Sequence, residues 1–289
     1  MRWAVSNPRQ PHRPPLGSRQ SVRCTLKILV VSDLHYTLPQ FDWVVAAAPA
    51  YDLVIVAGDL LDISSPVDPE TQIIVVLKYL RRLRAVTSVV VCSGNHDLDG
   101  VGANGEKQAL WMNLVKRLAI PADGDTAFVD GVMISACPWW DGPLTQKAIG
   151  RQFADAVQYR DGPWIWVYHA PPNASPVSWS NVNSRYFGDA PLNGWIADYS
   201  PDLVICGHVH DSPFTPKGSW VDRIGATWVF NAGRQIGEVP TSIAIDTEAR
   251  QAAWISNEGA EIVSLDAPLV RPLTPLTAMP DWMDSRAGD

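Results

Sequence analysis

The stretch KILVVSDLH, Lys27 to His35, decides the fold. Lys27–Ser32 is a short β-branched run closed by polar residues, which predicts a buried strand rather than a helix. The run ends on Asp33-Leu34-His35, two metal-binding side chains spaced two apart. The same phrase recurs. Leu53–Ala57 runs into Gly58-Asp59-Leu60-Leu61-Asp62, and Ser88–Cys92 into Gly94-Asn95-His96-Asp97. Trp164–Tyr168 leads to His169, and Leu203–Cys206 to Gly207-His208-Val209-His210. Five of the six histidines thus follow predicted strand ends.

Between the second and third strands lies a predicted helix. Asp68 can cap it, Pro69 suits its first turn, and Ile73, Ile74, Leu77, Leu80 and Leu83 form an apolar face. Strands alternating with helices mark an α/β domain with a mainly parallel sheet. Further helices are expected at 106–118 and 146–159, and a hairpin over 128–136. Four short strands near 220–223, 227–230, 242–245 and 252–256 have the spacing of a β-meander. The expected organisation is an arm over 1–25, one α/β domain with two sheets over 26–257, and a Pro-rich acidic tail over 258–289.

Composition narrows the function classes. The net charge is −7, but residues 1–27 hold six basic and no acidic residues, so the remainder carries 17 basic against 30 acidic. A body that acidic repels long polyanions and argues against a nuclease that tracks nucleic acid. The arm, rich in Pro and Arg, is expected to be disordered or to reflect a misplaced start, with a targeting or nucleic-acid role as the minority reading. It has no apolar core of a secretory signal, and no apolar run approaches the ~18 residues of a membrane span. The four cysteines (24, 92, 137, 206) lack metal or redox spacing and suit reduced thiols in a cytoplasmic protein. His12, in the arm, is assigned nothing.

In open α/β sheets, ligands sit beyond the carboxyl ends of the strands. There the motifs gather seven candidate metal ligands: Asp33, His35, Asp59, Asn95, His169, His208 and His210. One bridging carboxylate would give four protein ligands to each of two ions. Mixed N and O donors without thiolate suit Mn, Fe or Zn. Two such ions would activate a bridging hydroxide as nucleophile and clamp phosphate oxygens.

Five motifs in this order, D-x-H, G-D-x-x-D, G-N-H-D, an isolated H and G-H-x-H, resemble the calcineurin-like metallophosphoesterase superfamily from about residue 27 to 233. The resemblance is strongest to compact bacterial-type members such as class III cyclic nucleotide phosphodiesterases. It implies a four-layer α/β/β/α sandwich with two mixed sheets. It also implies that Asp33, His35 and His210 bind one metal, that Asn95, His169 and His208 bind the other, and that Asp59 bridges. His96 would contact the phosphate and protonate the leaving oxygen, with Asp97 orienting its ring. Two segments depart from the pattern: Tyr168 stands where many such members have a second His, and Asn231-Ala232-Gly233-Arg234 where Asn-Pro-Gly-Ser is common. Both bear on substrate rather than chemistry.

Trp is frequent, 13 residues. Trp43, Trp111, Trp164, Trp166, Trp228 and Trp254 fall in strand or helix patterns and read as packing. Trp139, Trp140 and Trp179 lie in loops and could wall a flat substrate group, with Asn173, Arg185 and Tyr186 nearby. Arg234 could reach a phosphate or sit in a surface ion pair, and Asp62 could assist the ligands or merely close a loop. The expected activity is hydrolysis of a small phosphodiester, a cyclic nucleotide or nucleotide derivative. A phosphomonoesterase is second, a nuclease third, and a non-catalytic scaffold of the same fold remains a separate class.

Overall fold

A computed structural model describes residues 25–283, so the basic arm, His12 and Cys24 lie outside the described residues. In chain order it begins with β1 (Lys27–Val31), α1 (Leu38–Ala47), β2 (Leu53–Ala57), α2 (Pro69–Arg84) and β3 (Ser88–Cys92). A small hairpin follows, β4 (Gly100–Val101) and β5 (Lys107–Gln108), then α3 (Met112–Arg117). Next come β6 (Thr126–Val129), β7 (Val132–Ala136), α4 (Pro143–Val157) and β8 (Trp164–Val167). A second hairpin, β9 (Trp179–Ser180) with β10 (Arg185–Tyr186), precedes α5 (Ala190–Tyr199) and β11 (Leu203–Cys206). The chain closes with β12 (Val221–Ile224), β13 (Thr227–Asn231), β14 (Ser242–Asp246), β15 (Gln251–Ile255), β16 (Ala260–Ser264) and β17 (Thr274–Pro275).

Two mixed sheets result. One has the order β17-β16-β15-β14-β1-β2-β3, the other β12-β13-β11-β8-β7-β6. In the first, β1, β2 and β3 are parallel and β14 joins β1 antiparallel. In the second, β13, β11, β8 and β7 are parallel, with antiparallel edges. Side-chain alternation explains why these strands are apolar throughout. Ile28 and Val30 of β1, Ile55 of β2, Ile134 of β7 and Ile165 of β8 face a core between the sheets. Leu29, Val31, Val54 and Val56 face α1, α2 and α3. Met133, Trp164 and Trp166 face α4 and α5, where Phe153 stacks on Trp166 at 3.7 Å. The layers are therefore α/β/β/α, as the sequence led us to expect.

Helix α2 starts as read: the Asp68 side chain accepts from Thr71 N at 2.9 Å, with Pro69 in the first turn. Its buried face includes Val76, whereas Ile74 is 57% exposed. The helix expected over 106–118 is only Met112–Arg117. Residues 107 and 108 pair back on 101 and 100, and Asp99 Oδ1 accepts from the Leu110 and Trp111 amides. The expected meander is split. β12 and β13 belong to one sheet, and β14 and β15 to the other, because both faces of β13 and β14 are buried and each needs its own layer of cover. Residues past 258, expected as a Pro-rich acidic tail, make sheet and side-chain contacts with the domain. β16 pairs along all of β15, Trp220 Nε1 donates to Glu261, and Arg271 donates to the Val221 carbonyl. Cys92, Cys137 and Cys206 are buried free thiols whose pKa values burial pushes well up. No helix among the described residues is long and apolar enough to cross a membrane.

Ile55 is fully buried between the sheets. Ile55→Ala is expected to lower unfolding free energy by about 2–5 kcal/mol, and Ile74→Ala to change it by no more than about 0.5 kcal/mol. Urea unfolding of both variants checks the assignment of faces.

Candidate metal centre

All five motifs leave their strands at the same end of the sandwich, in the seam between the sheets. β1, β2 and β3 deliver Asp33, Asp59 and Asn95 from one side, and β8 and β11 deliver His169, His208 and His210 from the other. The turns interlock. Asp33 N donates to Gly58 O at 3.1 Å, His35 N to Asp59 O at 2.9 Å, and Gly207 N to His169 O at 2.9 Å. Asp33, His35, Asp59 and His208 all adopt positive φ, between +41° and +70°. An L-residue there costs on the order of 1–2 kcal/mol, so these turns persist because the interlocking bonds hold them.

Asp33 and Asp59 are buried. Asp59 Oδ2 stands 3.2 Å from His169 Nε2 and 3.6 Å from His35 Nε2, between the two groups of ligands. Asp33 Oδ1 is 3.2 Å from His210 Nε2. The Nε2 atoms of His35 and His210 face each other at 3.1 Å. Asp33, His35, Asp59 and His210 present donor atoms within 4.8 Å of one another. Beside them, His208 Nδ1 meets Asn95 Oδ1 at 2.9 Å, and the His169 and His208 rings are 5.4 Å apart. The structure thus brings together all seven candidate ligands, with Asp59 common to both sets.

Two observations test whether these residues fit a metal pair. First, His169 Nδ1 lies 2.7 Å from the Ala57 carbonyl, to which it donates, while its buried Nε2 faces the Asp59 carboxylate at 3.2 Å and makes no well-formed hydrogen bond among the described residues. A backbone acceptor on one ring nitrogen leaves the other free to ligate, the usual support of a metal-bound histidine. Second, the pocket demands positive charge. Burial would neutralise His169, but the adjacent Asp59 carboxylate, helped by Asp33, raises it to about 10. Burial works against ionising Asp33 too, yet its contact with His210 and the surrounding imidazoles hold it below the usual carboxylate range. The pKa values of His35 and His208 are pushed down to about 4, chiefly by burial, which keeps both rings neutral. The donor set fits.

His96 lies just outside the ligands, its ring perpendicular to that of His35 at 4.4 Å. Asp97, expected to orient the His96 ring, makes its hydrogen bonds elsewhere. Asp97 is wholly buried and accepts from the Gly94, Leu60 and Leu61 amides at 2.8–3.0 Å. It clamps the turn after β3 to the turn after β2. Burial and the charge of Asp59 raise its pKa to about 8. The carboxylate near the His96 ring is instead Asp62, with Oδ1 3.6 Å from Nδ1. Sequence could not choose between them, because the choice depends on which amides Asp97 reaches.

Of the five expected pocket residues, Trp139 flanks the site, with its ring 5.1 Å from His208 and 5.7 Å from His169. Its amide donates to Ser93 Oγ at 2.9 Å, and half-buried Asp123 accepts from Ser93. Trp140 turns the other way, with Nε1 donating to Tyr168 Oη and Asp189. Trp179 is buried against Tyr186 and under Lys217. Asn173 exchanges main-chain bonds with the Asn193 amide, and Arg185 covers Phe187 at 4.1 Å. Trp140, Trp179 and Asn173 thus join the 170–190 segment to residues outside it, while Arg185 packs within it. Asn231, not singled out as a functional residue, uses its whole amide. Nδ2 donates to Val177 O, Val209 O and Ser212 Oγ, and Oδ1 accepts from Gly233 N.

Among known proteins, a profile of the calcineurin-like phosphoesterase family matches residues 26–212. No curated protein matches the chain. Among solved structures, TT1561 of Thermus thermophilus aligns at TM-score 0.51 and 15% identity, covering 83% of this chain and 99% of that one. Yfce, a phosphoesterase from E. coli, aligns at TM-score 0.33 and 13% identity, covering 83% and 93%. At such identities the first alignment speaks for the fold alone.

Gly94 has an ordinary extended backbone (φ −113°), so space alone dictates its identity. A Cβ there would lie 2.2 Å from Asp59 Oδ1 and 2.7 Å from His169 Nε2. Gly94→Ala is expected to cost about 1–3 kcal/mol of stability and to lower metal uptake. Thermal melts with and without added Mn²⁺ read both effects.

Proposed function

The chain belongs to the calcineurin-like phosphoesterase family, and from that premise we propose that it is a dinuclear metal-dependent hydrolase of small phosphate esters, a phosphodiester before a monoester. The observation that carries this reading is Asp59, one buried carboxylate placed between two sets of N and O donors. Bound there, two divalent ions would activate water and neutralise phosphate charge.

The protein's own groups supply the rest. Asp33, His35 and His210 would hold one ion, and Asn95, His169 and His208 the other, with Asp59 shared. The Ala57 carbonyl keeps Nε2 of His169 bare for its ion. His96 stands at the edge of the cluster, its side chain 20% exposed where that of His35 is 2%, with the rings 4.4 Å apart, and from there it would reach a phosphate seated on the ions. There it would steady the phosphate oxygens and give its proton to the leaving oxygen. Asp62 would support the ring, the role expected of Asp97. Trp139 offers a flat apolar wall beside His169 and His208, which supports a substrate with a planar group such as a base. The acidic body disfavours long polyanions and supports a small substrate.

Metal analysis of the purified protein is expected to find about two transition-metal equivalents per chain. Asp59→Asn should lose metal together with hydrolysis of bis(p-nitrophenyl) phosphate. His96→Ala should keep its metal and lose about 10²–10⁴-fold in turnover. A metal-free wild type, or an Asp59→Asn variant with full metal and activity, would refute the reading.

A further inference from the structure

The residue that follows the β13 turn is an arginine held in place by its backbone, with no partner at its head among the described residues. The Asn231 amide ties the 231–234 turn to the carbonyl of Val209, between the two histidines of the last motif, and to Gly233 N. Arg234 N then donates to His210 O at 3.1 Å. Gly233, at φ +70°, passes so near that a Cβ would stand 2.9 Å from the His210 carbonyl, so only glycine fits. On the far side, Thr241 Oγ1 donates to Gly233 O at 2.6 Å. Buried Gln40 donates to the Gln235 and Gly237 carbonyls at 3.0 and 3.1 Å. Three separate elements thus fix the backbone on both sides of Arg234.

The side chain is half-buried. Arg82, Arg160, Arg250 and Arg271 each stand near a carboxylate. Arg234 has no ion pair or side-chain hydrogen bond among the described residues. Its backbone N sits on the carbonyl of His210, one of the candidate ligands, at 3.1 Å. His35 in turn is 4.4 Å from His96 and 4.9 Å from His210, ring to ring. Arg234 therefore borders the same ground as the group proposed to meet the phosphate.

We infer that Arg234 is a specificity-determining residue that binds an anionic oxygen of the substrate beyond those the metal pair would hold, so that the preferred substrate carries at least two negative charges. This rests on the phosphoesterase reading but reorders its substrates, placing a phosphomonoester or a diphosphate-linked nucleotide derivative ahead of a simple diester. A guanidinium offers a planar fork of donors matched to phosphate oxygens. A cyclic nucleotide or simple diester carries one negative charge and gives this fork no second anion. A phosphomonoester carries the second charge on the reacting phosphate, and a diphosphate-linked nucleotide derivative carries it on the neighbouring one. Both present the same chemistry to Arg234.

The test compares Mn-loaded wild type, Arg234→Ala and Arg234→Lys by calorimetric titration with dimethyl phosphate, inorganic phosphate and adenosine diphosphate. Arg234→Ala should weaken a doubly charged probe by about 10- to 100-fold and weaken dimethyl phosphate far less, with metal content unchanged. Lysine should restore part of the loss. A loss on inorganic phosphate places the second charge on the reacting phosphate, whereas a loss on adenosine diphosphate alone places it on the neighbour. Equal affinities in wild type and Arg234→Ala, an equal loss on all three probes, or no binding by wild type would overturn the inference. Hydrolysis of nitrophenyl phosphate esters by wild type, measured in parallel, separates the two readings. Arg234-dependent binding without hydrolysis would sink the phosphoesterase and leave the anion site standing.

Discussion

Asp33 and Asp59 are carboxylates sunk in the seam between two sheets, and their need for nearby positive charge organises everything around them. A buried carboxylate without compensation is among the most costly groups a fold can hold. Here each is answered by main-chain donors, His208 N for Asp33 and His96 N for Asp59, and by imidazoles from the opposite sheet. Asp33, His35, Asp59 and His208 sit in left-handed backbone just beyond their strands. That geometry survives through bonds between turns rather than within them. The site is thus a property of the pair of sheets, and neither sheet contains it alone.

The strands were legible in the sequence for a simple reason. Strands covered on both faces are apolar throughout, and KILVV, LVIVA and SVVVC can hardly be anything else once closed by Ser or Gly. The gathering of the candidate ligands was legible because the residue types are rare and their order along the chain is specific. What stayed hidden depended on contacts rather than composition. Helix α5 carries Pro191, Asn193 and Gly194, which blur any apolar period. The β4–β5 hairpin took residues that a helical pattern claimed. The division of the last strands between two sheets follows from burial on both faces, which no local pattern announces.

Asp97 makes the same point inside the site. Its sequence neighbour is His96, yet its carboxylate is spent on three amides from two turns, and the acid near His96 comes from the preceding strand's loop. The tryptophans divide likewise. Trp139 and Trp140 are adjacent, but one flanks the ligand histidines and the other anchors Tyr168 and Asp189. Loop residues take their meaning from what the scaffold sets opposite them. That explains why the motifs could speak for the chemistry and say little about the substrate.

The central pairing of β1 with β14 joins Lys27 to Asp246, nearly the two ends of the domain. On a ribosome, β1, β2 and β3 would emerge with Asp33, His35, Asp59 and Asn95 long before β8 and β11 bring their histidines. Until β14 is made, the inner edge of β1 has no neighbour. Long-range closure of this kind is slow and leaves strand edges open to wrong partners. A chain built this way should gain more from early chaperone cover, or from metal supplied only after synthesis ends, than its final stability would suggest.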